Sequence, residues 1–255
     1  LGFIACHFIE ATPPIAPDSK IKLFFFTQVL SSLKLMKKRE YLITTVLSTV
    51  LFWFVGAFLQ LNIIPFAIQT LHLNDIYGGY LFLVSAIGIG LGAILSGLFS
   101  GKTVELGLMM LGGLSMGIFL IILGFISGLT STIIVIILLG MCGGFFTVPA
   151  EAYIQSISPP EYRGKIIATE NLSNFIGIIT SSFVLALFSQ VLKVKSSTGF
   201  ILIGCITIVG MIVITLAMKE KFLRSFIALR YRLLFKFSYS RDLQKKLETQ
   251  SLFSI

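Results

Sequence analysis

The sequence predicts an all-α membrane protein with six transmembrane helices. Three observations carry this. The 255 residues are 56% hydrophobic and only 12% charged, against about a quarter charged in an ordinary soluble domain. The charges leave long gaps, with no Asp, Glu, Lys or Arg in 41–74, 76–101, 106–150, 171–192 or 196–218. The basic residues also fall almost wholly on alternate connections between those gaps.

Each element follows from the gaps. A helix crossing the hydrocarbon needs about 20 apolar residues at 1.5 Å rise each. Four gaps fit one crossing apiece. The gap 106–150 is about twice as long and holds a turn signal, Ser127-Gly128-Leu129-Thr130-Ser131, so it reads as two crossings. The spans are expected near 42–68, 78–100, 106–126, 131–155, 166–192 and 198–218. Runs such as Ile133-Ile134-Val135-Ile136-Ile137-Leu138-Leu139 lack the alternation of a barrel strand. A helix satisfies its own backbone in lipid.

Orientation comes from the basic residues. Lys20, Lys22, Lys34, Lys37, Lys38 and Arg39 precede the first span, Lys102 follows the second, Arg163 and Lys165 follow the fourth, and nine more follow the sixth. These are eighteen of the 20 Lys and Arg residues, and six crossings put them all on one side. Only Lys193 and Lys195 lie opposite. The positive-inside rule makes the eighteen cytoplasmic, with both chain ends there. The same assignment accounts for the net charge of +9 without a nucleic-acid partner.

Four regions are expected. Residues 1–9, Leu1 to Ile9, read as the last turns of a preceding membrane helix. Residues 10–40 read as a Pro-rich linker and an amphipathic helix on the cytoplasmic surface. Residues 41–218 form the six-helix domain. Residues 219–255 form a basic, amphipathic cytoplasmic tail drawn to anionic lipid.

Polar groups within spans mark the helices that line a cavity, because they are costly against lipid. The first span carries Gln60, Asn62 and Gln69. The fourth carries Thr147, Glu151 and Gln155 at intervals of four, on one helical face. The fifth carries Glu170, Asn174, Gly177 and Ser181 on another. These three helices are expected to point inward, with Gln60, Asn62, Glu151, Gln155, Glu170 and Asn174 as candidate substrate-binding or cavity-lining residues. The third and sixth spans, poor in polar groups, are free to face lipid. Two plainer readings stand beside these. Glu151 and Glu170 are boundary carboxylates paired with Arg163, Lys165 or Lys102, and Gln60 and Asn62 are interhelical hydrogen-bonders. Lys102, Glu105, Arg163 and Lys165 are the candidate gate and loop residues on the cytoplasmic side.

Small-residue ridges predict close helix packing. Gly88, Gly92, Ser96 and Ser100 form one ridge, and Ala93, Gly97 and Gly101 an adjacent one. Gly113 with Gly117, and Gly140 with Gly144, form shorter ridges. Pro65 and Pro149 predict bends in the first and fourth spans. Cys6, Cys142 and Cys205 lie far apart in apolar runs, so neither a disulfide framework nor a metal site is expected. No cofactor and no enzyme site are expected. His7 and His72 are followed five residues on by Thr12 and Tyr77, so neither begins the His-x-x-x-x-Asp acyltransferase signature. Phosphate-binding, zinc and nucleophile-elbow patterns are absent from the sequence.

Three segments carry a family resemblance. Gly143 to Gln155 reads Gly-Gly-Phe-Phe-Thr-Val-Pro-Ala-Glu-Ala-Tyr-Ile-Gln, and Ser158-Pro159-Pro160-Glu161-Tyr162-Arg163-Gly164-Lys165 follows. Phe52 to Asn62 and Ala86 to Gly92, the latter continuing to Gly101-Lys102-Thr103-Val104-Glu105, are the others. Together the sequence resembles the carboxy-terminal half of the major facilitator superfamily, in its lysophospholipid transporter branch. It is similar there to versions fused to a phospholipid acyltransferase and an acyl-carrier-protein ligase. The resemblance covers roughly residues 1 to 220 and implies half of a twelve-helix fold. It implies that lysophospholipid, chiefly 2-acylglycerophosphoethanolamine, is flipped across the inner (plasma) membrane by alternating access. The implied partners are membrane lipid, an amino-terminal half and an acyltransferase. The loop with Lys102 departs from the superfamily motif, having no arginine pair and no aspartate. Other readings stay open: a remnant inactive by itself, a membrane anchor for an acyltransferase, and a drug or sugar carrier of the same superfamily.

Overall fold

The computed structural model describes residues 25–100 and 106–220, and among them it has helices and no strand. A short helix, α1 (Phe25–Lys37), precedes six long ones. These are α2 (Leu42–Gln69), α3 (Asp75–Ser100), α4 (Leu106–Phe125), α5 (Leu129–Ile157), α6 (Arg163–Ala186) and α7 (Ser196–Ala217). All six are long and apolar enough to cross a membrane. Their ends fall within three residues of the expected spans. The break between α4 and α5 lies at the Ser-Gly turn, where Gly128 is extended. Both prolines stay inside unbroken helices. Beyond Ala186, α6 widens into a π-helical turn, Leu187–Val191.

The packing follows the small residues. The α3 helix lies along α5, and α4 lies between α5 and α7. A Cβ added at Gly88 would stand 2.5 Å from the Ile137 carbonyl oxygen, so no larger residue fits that seam without separating α3 from α5. Gly92 against Met141, and Gly144 against Gly92 and Ala93, continue the seam. Between α4 and α7, Gly117 and Gly204 face each other's carbonyls. The central α2 touches α3, α5, α6 and α7, and Phe58 and Phe66 meet Phe200 of α7 edge to face.

Two expectations are corrected by these contacts. A Cβ at Gly97 would meet nothing within 4 Å. The ridge through Gly88, Gly92 and Ser96 is buried, whereas Gly97 of the adjacent ridge is exposed. The polar-poor α4 is also the most buried of the six helices. It exposes Ile118, Ile122 and Phe125 while its glycines face α5 and α7. Lack of polar groups marks a helix as apolar, and an apolar helix packs on protein as readily as on lipid.

The first helix is docked on the ends of the others. Met36 is fully buried and, with Leu33, packs on Leu42, Val46, Ile154 and Ile166. Lys165 Nζ donates to Ser31 Oγ at 2.5 Å. The chain turns into α2 at Tyr41, whose φ of 56° is left-handed, a conformation costing a non-glycine residue about 1 kcal/mol or more. The Tyr153 hydroxyl of α5 donates to the Glu40 carbonyl at 2.7 Å and secures that turn. The expected remnant at 1–9, the linker before Phe25 and the basic tail beyond Glu220 lie outside the described residues, as do Gly101, Lys102 and Glu105.

Candidate functional site

The α6 helix buries one stripe against α2, made of Ile166, Thr169, Glu170, Asn174, Gly177 and Ser181. Those positions recur at three and four residues, so they share one face. Gly177 lets the two backbones approach, since a Cβ there would lie 2.6 Å from the Val50 carbonyl oxygen. The most polar group on the stripe is Glu170, which is only 1% exposed.

The Glu170 carboxyl group lies close to three side chains: the Glu151 carboxyl of α5, the Asn174 amide and the Thr49 hydroxyl of α2. Asn174 is one turn along from Glu170 and is tied to α2, its Oδ1 accepting from Thr49 Oγ1 at 3.1 Å. Thr49 also reaches its own helix at the Val46 carbonyl, 2.8 Å away. A hydroxyl has one proton, so these two acceptors share it. The Glu170 Oε1 atom is buried without a hydrogen-bond partner among the described residues. Glu151 itself is half-buried.

Three helices therefore converge on one carboxyl pair. A carboxylate only accepts hydrogen bonds. Contact between Glu151 and Glu170 is thus stable when a proton or another cation sits between them. Among the described residues no cationic side chain does so. Arg163 is exposed and Lys165 is engaged with Ser31, so the ion pairs expected with those two are not formed. Beside the pair, Trp53, Asn171, Asn174, Phe175 and Ile178 line a recess of about 370 Å³ between α2 and α6.

The other candidates lie elsewhere. Gln155 is exposed one turn beyond Glu151, and Gln60 is exposed on α2. Asn62 is buried, and its Nδ2 donates to the Ser196 carbonyl of α7 at 2.9 Å. Its expected interhelical hydrogen bond is therefore seen, and Asn62 also lines a recess at that end of the bundle. Thr49 and Asn62 are thirteen positions apart on one helix, about 20 Å along its axis. Gln60 and Asn62 therefore do not share a site with Glu151 and Glu170. Distance along α2 separates what the polar count had grouped.

Thr49 was not among the sequence candidates. It sits in a run of buried hydroxyls with Thr45 and Ser48, which bond back to the carbonyls of Tyr41 and Thr45. A hydroxyl in a helix ordinarily does just that, so no sequence signal distinguishes Thr49 from its neighbours.

Comparison with known proteins gives one family. The model of the Major Facilitator Superfamily matches residues 42–228, which takes in all six long helices. No curated protein matches the chain.

Proposed function

Because the chain belongs to the Major Facilitator Superfamily, whose members are transporters, we propose that its six helices form the carboxy-terminal half of a lysophospholipid transporter. In this reading the half-bundle rocks against an amino-terminal half and flips 2-acylglycerophosphoethanolamine toward the cytoplasmic leaflet of the inner membrane. A phospholipid acyltransferase is the partner that would consume the product.

The reading rests on the carboxyl pair. The ammonium of an ethanolamine head group supplies the positive charge that Glu151 and Glu170 lack, and it donates where Glu170 Oε1 has no partner. Charge-assisted hydrogen bonds of that kind are about twice as strong as neutral ones. The neighbouring outer face of α6 carries exposed Phe175, Ile176, Ile179 and Phe183, an apolar track for an acyl chain. A sugar uses neither the charge nor the track.

The test is uptake of labelled 2-acylglycerophosphoethanolamine into spheroplasts making the chain together with a six-helix amino-terminal half. Uptake is expected, and E151Q/E170Q is expected to lose it. Lysophosphatidylglycerol, which has no ammonium, is expected to be a poorer substrate. Accumulation of a sugar or a cationic drug without any lysolipid uptake would reject the substrate.

A further inference from the structure

A second recess lies at the opposite end of the bundle from α1. It is lined by the last turns of α2, the π-helical turn after α6, residues 193–195 and the start of α7, and its volume is about 280 Å³. We propose that this recess binds a phosphate group.

The distribution of charge is the first reason. Basic residues tend to avoid one side of a membrane, and the sequence assigns eighteen of the 20 Lys and Arg residues to the other side. The remaining two are Lys193 and Lys195, and both line this one recess. No acidic residue lines it. Asp75, the acid at the same end of the bundle, accepts the Ile76 amide at 2.9 Å and does not reach it.

The second reason is what the remaining polar groups can still do. Asn62 Nδ2 is spent on the Ser196 carbonyl at 2.9 Å. Gln69 Oε1 is spent as an acceptor on Ser196 Oγ at 3.0 Å. The two ammonium groups and the Gln69 amide NH2 remain as donors, beside the Asn62 Oδ1 and Ser189 Oγ acceptors. Donors and positive charge over a cavity select an oxyanion. Phe58 and Phe188 form the apolar side of the recess, where the glycerol and first methylenes of a phosphate ester fit.

The chain is shaped to hold the lysines there. Lys193 has a φ of 49°. The turn around it is fixed by Leu192 N donating to the Leu187 carbonyl at 2.9 Å and Val194 N to the Phe188 carbonyl at 2.8 Å. The proposal does not require lysophospholipid to be the transported solute. Uptake can fail while phosphate binding holds, and the reverse.

The phosphate comes either from a lipid head group or from free phosphate, and thermal unfolding of the full chain in maltoside detergent separates the two. The probes are inorganic phosphate, dihexanoyl phosphatidic acid and dihexanoylglycerol. A ligand that binds only the folded chain raises Tm. Phosphatidic acid is expected to raise it and dihexanoylglycerol is not. A shift with inorganic phosphate as well assigns the site to the free anion, and a shift with phosphatidic acid alone assigns it to a lipid head group. Removing one lysine, in K193Q or K195Q, is expected to weaken binding about ten-fold. K193Q/K195Q is expected to abolish the shift, and K193R/K195R to keep it. No shift with either phosphate probe overturns the proposal. So does an equal shift with dihexanoylglycerol, or a shift undiminished in K193Q/K195Q.

Discussion

The α3–α5 seam and the α2–α6 seam join helices of similar length in opposite ways. Along α3 and α5, Gly88, Gly92, Gly140 and Gly144 bring backbone against backbone. Along α2 and α6 a single glycine, Gly177, does so, and the contact is completed by Thr49, Asn174 and the carboxyl of Glu170. The spanning part of α6 is also the least buried of the six. Close backbone contact is unforgiving and has one geometry, whereas polar contacts can be exchanged for others at little cost. The first seam is closed by backbone contact, and the second largely by polar side chains.

The largest expected effect comes from breaking the glycine seam. Gly92→Leu places a side chain inside the Met141 backbone, and overpacking of that kind costs about 3 kcal/mol. The chain is expected to lose its monodisperse peak on size-exclusion chromatography in detergent. Next is the polar seam. Glu170→Gln keeps the shape and leaves the fold intact, and uptake of the labelled lysolipid is expected to fall at least about ten-fold, the equivalent of one lost charge-assisted contact. A destabilisation as large as that of Gly92→Leu would contradict the contrast between the seams. Asn62→Ala, which removes the bond to Ser196, is expected to cost about 0.6 kcal/mol in thermal unfolding with uptake unchanged. The smallest effect belongs to Gly97→Leu, where an added Cβ meets nothing within 4 Å, with a change within about 0.5 kcal/mol. A loss comparable to Gly92→Leu would mean the second ridge is packed after all.

The spans were legible because charge is excluded from hydrocarbon, so the gaps between charges mark the helix bodies to within a turn. The inner stripe of α6 was legible for a related reason. Glu170, Asn174, Gly177 and Ser181 repeat at helical spacing among residues such as Phe175 and Ile179 that are wholly apolar. Which helix each polar group meets was not legible. Glu151 and Glu170 could be read only as separate candidates, since their contact depends on how α5 and α6 lean on α2. Asn62 and Gln60 differ by two positions, hence by more than half a turn, and the count of polar residues could not tell the buried one from the exposed one. The burial of α4 was hidden for a physical reason. Lipid and protein interior are equally apolar, so hydrophobicity does not say which of the two a helix faces.

The π-helical turn at Leu187–Val191 sets the angular register of everything after it. Its hydrogen bond from Leu192 N runs back five residues to the Leu187 carbonyl, one more than an α-helix uses. Excising one residue, such as Ser189, would let the coil close to ordinary pitch and swing the following positions by about 100° around the axis. Lys193 and Lys195 would then point along a different azimuth, with their charge and their number unaltered. A one-residue deletion there is thus a dial for aim alone, distinct from any change that deletes the ammonium groups themselves.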